Sequence, residues 1–228
     1  MAKTKNKTAK KSTHSIERNP GVPFNTAWFD DININRSAVE RRAATLTKRR
    51  SVKKQYQAAW LLKAITCIDL TTLAGDDTKG NVHRLCAKAM NPVRKDILEA
   101  LGMADEKITT GAVCVYHNMI RDAKMALGDS SMPIAAVSTG FPAGQVPLKE
   151  KIRQIELSVA AGATEIDIVI TRRLVLESRW EELYNEVAAY RKACGEAHMK
   201  TILATGEIPT YAKVAKASMV SMMAGSDF

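Results

Sequence analysis

The sequence predicts an α/β fold of parallel strands, and three observations predict it. Five short β-branched stretches alternate strictly with helical stretches along the chain, which is the pattern of a parallel sheet. Hydrophobic residues make up 46% of the 228 residues, enough for a sizeable core. No glycine-rich nucleotide-binding pattern follows any of these strands. Polar residues inside several strands therefore favour a (β/α)₈ TIM barrel with chemistry in its interior over a doubly wound open sheet: Asp69, Ser138, Asp167 and Lys200.

Charge divides the chain into two parts. The net charge is +10, and residues 1–55 account for all of it, with 14 Lys and Arg against four carboxylates. Residues 56–228 are electrically balanced. We predict a basic, disordered N-terminal extension over 1–36, in which aromatic residues anchor the chain to the core, and a partial barrel domain over 37–228.

The chain shows no signature of secretion or membrane insertion. The N-terminus is polar and basic without an apolar stretch, and no apolar run reaches the length of a membrane span. The four cysteines lie far apart without a C-x-x-C pair, which argues against a zinc ribbon or a disulfide framework. Reduced thiols in a cytoplasmic protein are the simplest interpretation.

The first predicted element is a helix over 37–65. Ser37 and Glu40 have the spacing of a capping box. The helix carries a basic face around Lys48 and Arg49, which invites a nucleic-acid interpretation. We do not favour that interpretation, because no aromatic stacking platform accompanies the basic residues.

The remaining elements follow in alternation. Strands are predicted at 68–73, 110–116, 134–140, 163–170 and 200–207, and the start of a sixth strand at 225–228. Helices are predicted at 76–90, 118–127, 147–161, 178–197 and 211–224, with a short irregular or helical connection at 93–108. These are about five βα units of an incomplete barrel.

The fourth strand carries the most informative residue. Strand side chains alternate between faces, so Ile166, Ile168 and Ile170 share one face while Glu165 and Asp167 share the other. Aspartate is depleted in strands, and a buried carboxylate needs a partner. Asp167 is therefore either a structural hydrogen-bonding group or a catalytic carboxylate that points into the barrel.

Six ordered motifs resemble those of the deoxyribose-phosphate aldolase family. They are IDLTTL at 68–73, CVY at 114–116, TGFPAG at 139–144, EIDIVI at 165–170, ATGE at 204–207 and GSDF at 225–228. The resemblance is closest to the eukaryotic branch. It implies a class I aldolase on a (β/α)₈ barrel that reversibly cleaves 2-deoxy-D-ribose 5-phosphate to glyceraldehyde 3-phosphate and acetaldehyde, in deoxyribonucleotide and carbohydrate catabolism. It implies no metal and no organic cofactor.

The resemblance also implies roles for individual residues. The family uses a lysine that forms a Schiff base with the sugar carbonyl, which then acts as an electron sink. Asp167 is expected to donate and accept the proton, and Asp69 to orient the substrate or the lysines. Thr71 and Cys114 are expected to line the substrate site. Lys200 is expected among the substrate-binding residues, although its predicted place at the start of a strand disfavours a direct role.

The resemblance places the Schiff-base lysine just beyond Phe228, together with two further strands and the phosphate site. We therefore expect a C-terminally truncated aldolase that is inactive alone: a fragment, a short isoform, or a chain completed by a second chain. The expected partners are a phosphorylated sugar and possible homodimerisation, without membrane or nucleic acid. Two alternatives stay open, a polyanion-binding protein that uses residues 1–55 and a related barrel enzyme that acts on a different phosphorylated aldehyde.

Overall fold

The computed structural model describes residues 17–49 and 51–228. Within them, five parallel strands form one sheet in the order β1-β2-β3-β4-β5. Each strand is added beside the preceding one, as in a barrel, whereas a doubly wound sheet reverses direction at a switch point. The predicted α/β barrel class is confirmed, and the open-sheet alternative is wrong. The strands are β1 (Asp69–Thr71), β2 (Ala112–Tyr116), β3 (Ile134–Val137), β4 (Glu165–Val169) and β5 (His198–Ile202).

Helices connect the strands and cover one face of the sheet. Two of them begin at threonine caps: the Thr78 hydroxyl accepts a hydrogen bond from Asn81 N at 3.4 Å, and Thr210 accepts one from Lys213 N at 3.2 Å. The α-helices of the described residues are α1 (Arg36–Arg49), α2 (Lys54–Ile65), α3 (Lys79–Met90), α4 (Lys95–Ala100), α5 (Ile120–Leu127), α6 (Leu148–Ala161), α7 (Arg172–Leu176), α8 (Trp180–Cys194) and α9 (Tyr211–Met223). Short 3₁₀ helices span Thr26–Trp28, His117–Met119 and Thr205–Glu207.

The N-terminal helix differs from its prediction. The single helix expected over 37–65 is two helices, α1 and α2, and Lys54 at the start of α2 has a left-handed φ of 54° that interrupts the path. The expected capping box is also wrong. Asn35 caps α1 by accepting from Ala38 N at 3.0 Å, and Glu40 instead pairs with Arg36 at 2.7 Å. Residues 1–16 and Arg50, which carry part of the charge excess of residues 1–55, lie outside the described residues.

One face of the sheet is apolar and the other carries carboxylates, as the alternation in β4 predicts. Ile166, Ile168 and Ile170 are fully buried in the main core against the helices. Glu165 and Asp167 lie on the opposite, interior face and are partly buried. Burying three isoleucine side chains contributes about 1.5–3 kcal/mol each. The apolar face therefore fixes the register of β4, and the register in turn directs both carboxylates inward.

The described part of the predicted extension lies against α8 and α9. Val22 N donates to Met223 O at 2.7 Å, and the Tyr184 hydroxyl donates to Val22 O at 2.8 Å. Phe29 is 1% exposed, so it anchors this segment as expected, whereas Trp28 is 53% exposed. Residues 17–35 therefore pack on the helical layer, and the domain boundary at residue 36 stays a prediction.

The segment 225–228 lies along the free edge of β5. Asp227 N donates to Met199 O at 2.9 Å, and Thr201 N donates to Phe228 O at 3.0 Å. The Asp227 carboxylate also accepts from Met199 N at 2.7 Å and pairs with Arg191 at 2.8 Å. The segment follows the expected path of a sixth strand, although it does not form a regular strand.

Candidate active site

A lysine from one edge of the sheet reaches an aspartate from the other. Lys200 on β5 forms an ion pair with Asp69 on β1. Strands are spaced about 4.8 Å apart, so in a flat sheet β1 and β5 would be about 19 Å apart, farther than a lysine and an aspartate side chain reach together. The sheet must therefore curve strongly, and the interior face becomes a concave site.

Lys200 is the centre of this site. Its Nζ lies 2.9 Å from Glu165 Oε2 and 3.1 Å from Asp167 Oδ1, in addition to its contact with Asp69. The approach to Asp167 Oδ1 is an ion pair without hydrogen-bond geometry. The Cys114 thiol donates to the other carboxylate oxygen of Asp167 at 3.6 Å. One ammonium group thus lies against three carboxyl groups.

The charges around Lys200 keep its amine protonated. Burial alone would lower the pKa of Lys200, but the charge of Asp167, the hydrogen bonds to Asp69 and Glu165 and the charge of Glu165 together outweigh it. The pKa of Lys200 is therefore raised. A protonated amine has no free electron pair for nucleophilic attack, so this environment favours an ammonium group that holds charge.

Asp167 is shifted toward its neutral form. Burial raises the pKa of this carboxyl, and the positive charge of Lys200 opposes the shift only in part. Burial, helped by the charge of Asp167, also raises the pKa of Cys114 to about 12. At neutral pH Cys114 is therefore a buried thiol of low reactivity on the interior face.

Most of the residues predicted for the site do come together. Asp69, Cys114, Asp167 and Lys200 share the interior face, and Thr71 at the end of β1 donates to Asp69 O at 2.8 Å. The expected place of Lys200 at the start of its strand is wrong. Helix α8 ends at Cys194 before Gly195, so β5 begins at His198 and Lys200 is its central residue.

Sequence reasoning missed one member of the cluster. Glu165 is the first residue of β4, and its side chain is 14% exposed and bound to Lys200. The available signal was its alternation with Asp167, because residues two apart on a strand share a face. The predicted catalytic and binding roles of all these residues stay predictions.

The rim beside the site is held by constrained backbone. Thr139 follows β3 with a left-handed φ of 58°, and its hydroxyl both donates to Val169 O at 2.9 Å and accepts from Val169 N at 2.6 Å. Gly144 in the same loop has a φ of 69°, and a Cβ there would meet Ile170 O at 3.2 Å. Strained residues of this kind persist where the surroundings fix them, often at functional sites.

A second strained position gives a stability prediction. Ala204 follows β5 with a φ of 54°, a conformation that costs an L-residue about 1–2 kcal/mol. Ala204→Gly removes that cost but adds about 0.4–1 kcal/mol of unfolded-state entropy. We expect a net gain of about 0.5–1 kcal/mol in the free energy of unfolding, measured by urea denaturation. Ala215→Gly inside α9 is the control and should cost about 1 kcal/mol; a loss at both positions would contradict the assignment of strain.

Another buried lysine lies outside the site. Lys151 on α6 has a side chain 2% exposed, and its Nζ contacts Thr171 Oγ1 at 2.6 Å and Glu186 Oε2 at 3.2 Å. Glu186 also accepts from Thr171 N at 2.8 Å. This network joins α6 to α8 in the helical layer, so Lys151 has a structural place and does not face the interior cluster.

No helix of residues 17–49 and 51–228 combines the length and apolar character that a bilayer crossing needs. The expectation that no metal or organic cofactor takes part stays a prediction.

The chain is similar in sequence to known aldolases. A family model described as DeoC/LacD family aldolase matches residues 63–228. A deoxyribose-phosphate aldolase of Mus musculus is 58% identical over 210 residues, which is 91% of this chain and 66% of the mouse protein. The Homo sapiens deoxyribose-phosphate aldolase is 57% identical over 212 residues, which is 92% of this chain and 67% of the human protein. The chain thus spans about two thirds of the length of these curated relatives.

Solved structures support the fold. A candidate deoxyribose-phosphate aldolase from Coccidioides immitis matches with a TM-score of 0.64 at 22% identity, over 90% of this chain and 71% of that one. The tetrameric deoxyribose phosphate aldolase from Aeropyrum pernix matches with a TM-score of 0.57 at 23% identity, over 73% of this chain and 63% of that one. At these identities the similarity concerns the fold alone.

Proposed function

The chain belongs to the DeoC/LacD family of aldolases, and from this we propose that its interior cluster is the acid–base half of a class I deoxyribose-phosphate aldolase. The observation that carries the proposal is the shared position of Asp167 and Lys200. A partly buried carboxyl with a raised pKa lies 3.1 Å from a lysine whose pKa is raised by the acidic groups around it. Such a pair can hold a proton and release it during a reaction near neutral pH.

The proposed reaction passes through an iminium ion and an enamine. An amine adds to the C1 aldehyde of open-chain 2-deoxy-D-ribose 5-phosphate and loses water, which forms an iminium ion. A base removes the proton of the C3 hydroxyl, the C2–C3 bond breaks, and its electron pair moves into the iminium to give an enamine. Glyceraldehyde 3-phosphate leaves. The enamine then takes a proton at C2, and water releases acetaldehyde and the free amine.

Asp167 is the group we assign to these proton transfers. It can accept the C3 hydroxyl proton as a carboxylate and return a proton toward C2 as a carboxylic acid, directly or through a water. Lys200 holds the Asp167 charge in place, and Asp69 and Glu165 position Lys200 from two sides. Cys114 and Thr71 line the space beside this group.

The nucleophilic amine is not Lys200. Schiff-base lysines need a neutral amine, which proteins obtain by desolvation or by a neighbouring cation. Lys200 has the opposite environment, with three carboxylates at its ammonium group. Lys151 is held by Glu186 in the helical layer. We therefore infer that the amine is supplied from outside residues 17–49 and 51–228, in the third of the relatives that this chain does not span.

An activity assay with two proteins tests the proposal. One protein is this chain, and the other is this chain joined to the C-terminal third of the mouse relative. Cleavage of 2-deoxy-D-ribose 5-phosphate is followed as acetaldehyde, which alcohol dehydrogenase reduces with NADH. We expect turnover from the joined chain and none from the shorter one. Turnover by the shorter chain alone would overturn the inference about the amine, and a folded but inactive joined chain would overturn the proposed reaction.

We also infer a cytoplasmic location for the protein. All four cysteines are free thiols, and Cys86, Cys114 and Cys194 are buried. Free buried thiols suit a reducing compartment. The expected homodimer stays a prediction, which size-exclusion chromatography with light scattering would check.

A further inference from the structure

Helix α1 stands apart from the packed layers. Every one of its residues, 36–49, is exposed to solvent, although the helix is 14 residues long. A helix without tertiary contacts in water is marginal at this length. Neither the barrel core nor the interior cluster explains why this segment is helical and basic.

Four positive charges of α1 lie on one side. Arg41 and Lys48 are seven residues apart, as are Arg42 and Arg49, so each pair repeats after two helical turns, about 10 Å along the axis. The two rows flank Thr45 and form one cationic face. This cationic face is defined here as Arg41, Arg42, Lys48 and Arg49.

The cationic face has no internal counter-charge. Among the residues that the structure describes, none of its four side chains forms an ion pair. The one carboxylate of α1, Glu40, is already bound to Arg36 at 2.7 Å. The 16 residues that precede the described part add five lysines and no carboxylate in sequence. The charge excess of the whole chain is therefore concentrated at this end.

We propose that the cationic face of α1 binds the phosphate backbone of a nucleic-acid duplex without sequence specificity. Phosphates repeat at regular spacing along each strand, so two rows of cations on one helix face can contact several of them. Base-stacking aromatic residues are needed for single strands, not for contacts to the phosphates of a duplex. Their absence, which made the sequence disfavour nucleic acid, therefore does not exclude this mode.

An anionic membrane fits α1 less well. The apolar side next to the cationic face has only Val39, Ala43 and Leu46, without the tryptophan or phenylalanine that interfacial helices commonly insert. The buried apolar area would be small, so electrostatic attraction would have to supply the binding. The regular spacing of the two cationic rows favours a duplex.

Fluorescence anisotropy with a labelled 20-base-pair DNA duplex tests the proposal on the full 228-residue chain, between 50 and 200 mM NaCl. The test variant removes the cationic face with four changes that keep helix propensity: Arg41→Gln, Arg42→Gln, Lys48→Gln and Arg49→Gln. The control variant removes four exposed lysines elsewhere, so that the net charge falls equally: Lys88→Gln, Lys107→Gln, Lys149→Gln and Lys192→Gln. Circular dichroism checks that both variants keep the fold.

The two variants should differ in their affinity for the duplex. We expect the duplex affinity of the test variant to fall at least about 10-fold at 100 mM NaCl. The slope of log affinity against log salt concentration should become shallower by about two to four. The control variant should stay within about three-fold of the original chain. Equal weakening of both variants would overturn the proposal. Binding to phosphatidylserine vesicles without binding to the duplex would overturn it as well.

Discussion

Asp167→Asn is expected to lower kcat of the joined chain by about 10²–10⁴-fold, the range that a positioned general acid–base group contributes. Asparagine keeps the shape of the side chain but cannot exchange a proton at this position. The initial imine can still form, since the amine comes from elsewhere. The loss should therefore fall on kcat much more than on KM, because the substrate still binds.

The same substitution is expected to stabilise the fold at neutral pH, by about 0.5–2 kcal/mol, as removal of a functional but costly group often does. The pKa of Asp167 is raised in the folded protein. The folded state therefore holds more protons than the unfolded state between the unfolded pKa, near 3.9, and the folded pKa. Stability falls as pH rises through that window, and asparagine removes the fall. Below the unfolded pKa the two proteins should be equally stable.

Steady-state kinetics and urea denaturation at several pH values check both halves of this prediction. Asp129→Asn, at an exposed loop position, is the matched control and should change neither kcat nor stability. A variant that loses both activity and stability would indicate a structural carboxylate. A variant that keeps its kcat would remove Asp167 from the proton transfers.

Lys200→Met is expected to destabilise the chain by about 2–4 kcal/mol at pH 7, somewhat less than the cost of removing one partner from a fully buried ion pair, because the Lys200 side chain is 19% exposed. Methionine fills a similar volume but leaves Asp69, Glu165 and Asp167 without a counter-charge. The pKa of Lys200 is raised in the folded protein. Its stabilising contribution is therefore complete below the unfolded lysine pKa, near 10.4, and is lost only as pH rises through the folded value.

Acid should partly rescue the variant. The pKa of Asp167 is raised, and its repulsion with the neighbouring carboxylates is removed when it takes up a proton. The difference in the free energy of unfolding should therefore shrink between pH 7 and pH 4. Lys149→Met makes the same change at an exposed position of α6 and should cost less than about 0.5 kcal/mol. Equal costs at both positions, or a cost at Lys200 that is independent of pH, would contradict the charge balance described for the cluster.

The sequence predicted the faces of the strands better than their limits. In β4 the alternation of isoleucine and carboxylate determined which side of the sheet Asp167 lies on, because an error of one residue would bury the carboxylates in the helical core. The start of β5 was missed by two residues. Helical periodicity does not show where a helix ends. Because α8 ends at Cys194, before Gly195, β5 begins early enough for Lys200 to be its central residue.

The contacts between residues far apart in the chain could not be predicted from the sequence. Lys200 and Asp69 are 131 positions apart, and only the curvature of the sheet brings them together. Glu165 was visible as a neighbour of Asp167 on the same face, yet nothing in the local pattern showed that a lysine would bind both. Residues 51–53 between α1 and α2 are not helical, with Lys53 extended at a φ of −131° and Lys54 left-handed at a φ of 54°. Neither conformation has a signal in the residue types.

Borohydride trapping with peptide mapping by mass spectrometry tests the central claim most directly, that the interior cluster supplies the acid–base groups and another segment supplies the amine. The chain and the joined chain are each incubated with 2-deoxy-D-ribose 5-phosphate and reduced. We expect a reduced adduct on a lysine of the added segment in the joined chain, and none on the 228-residue chain alone. An adduct on Lys200 would contradict the account, because an amine held protonated by three carboxylates could not have formed it.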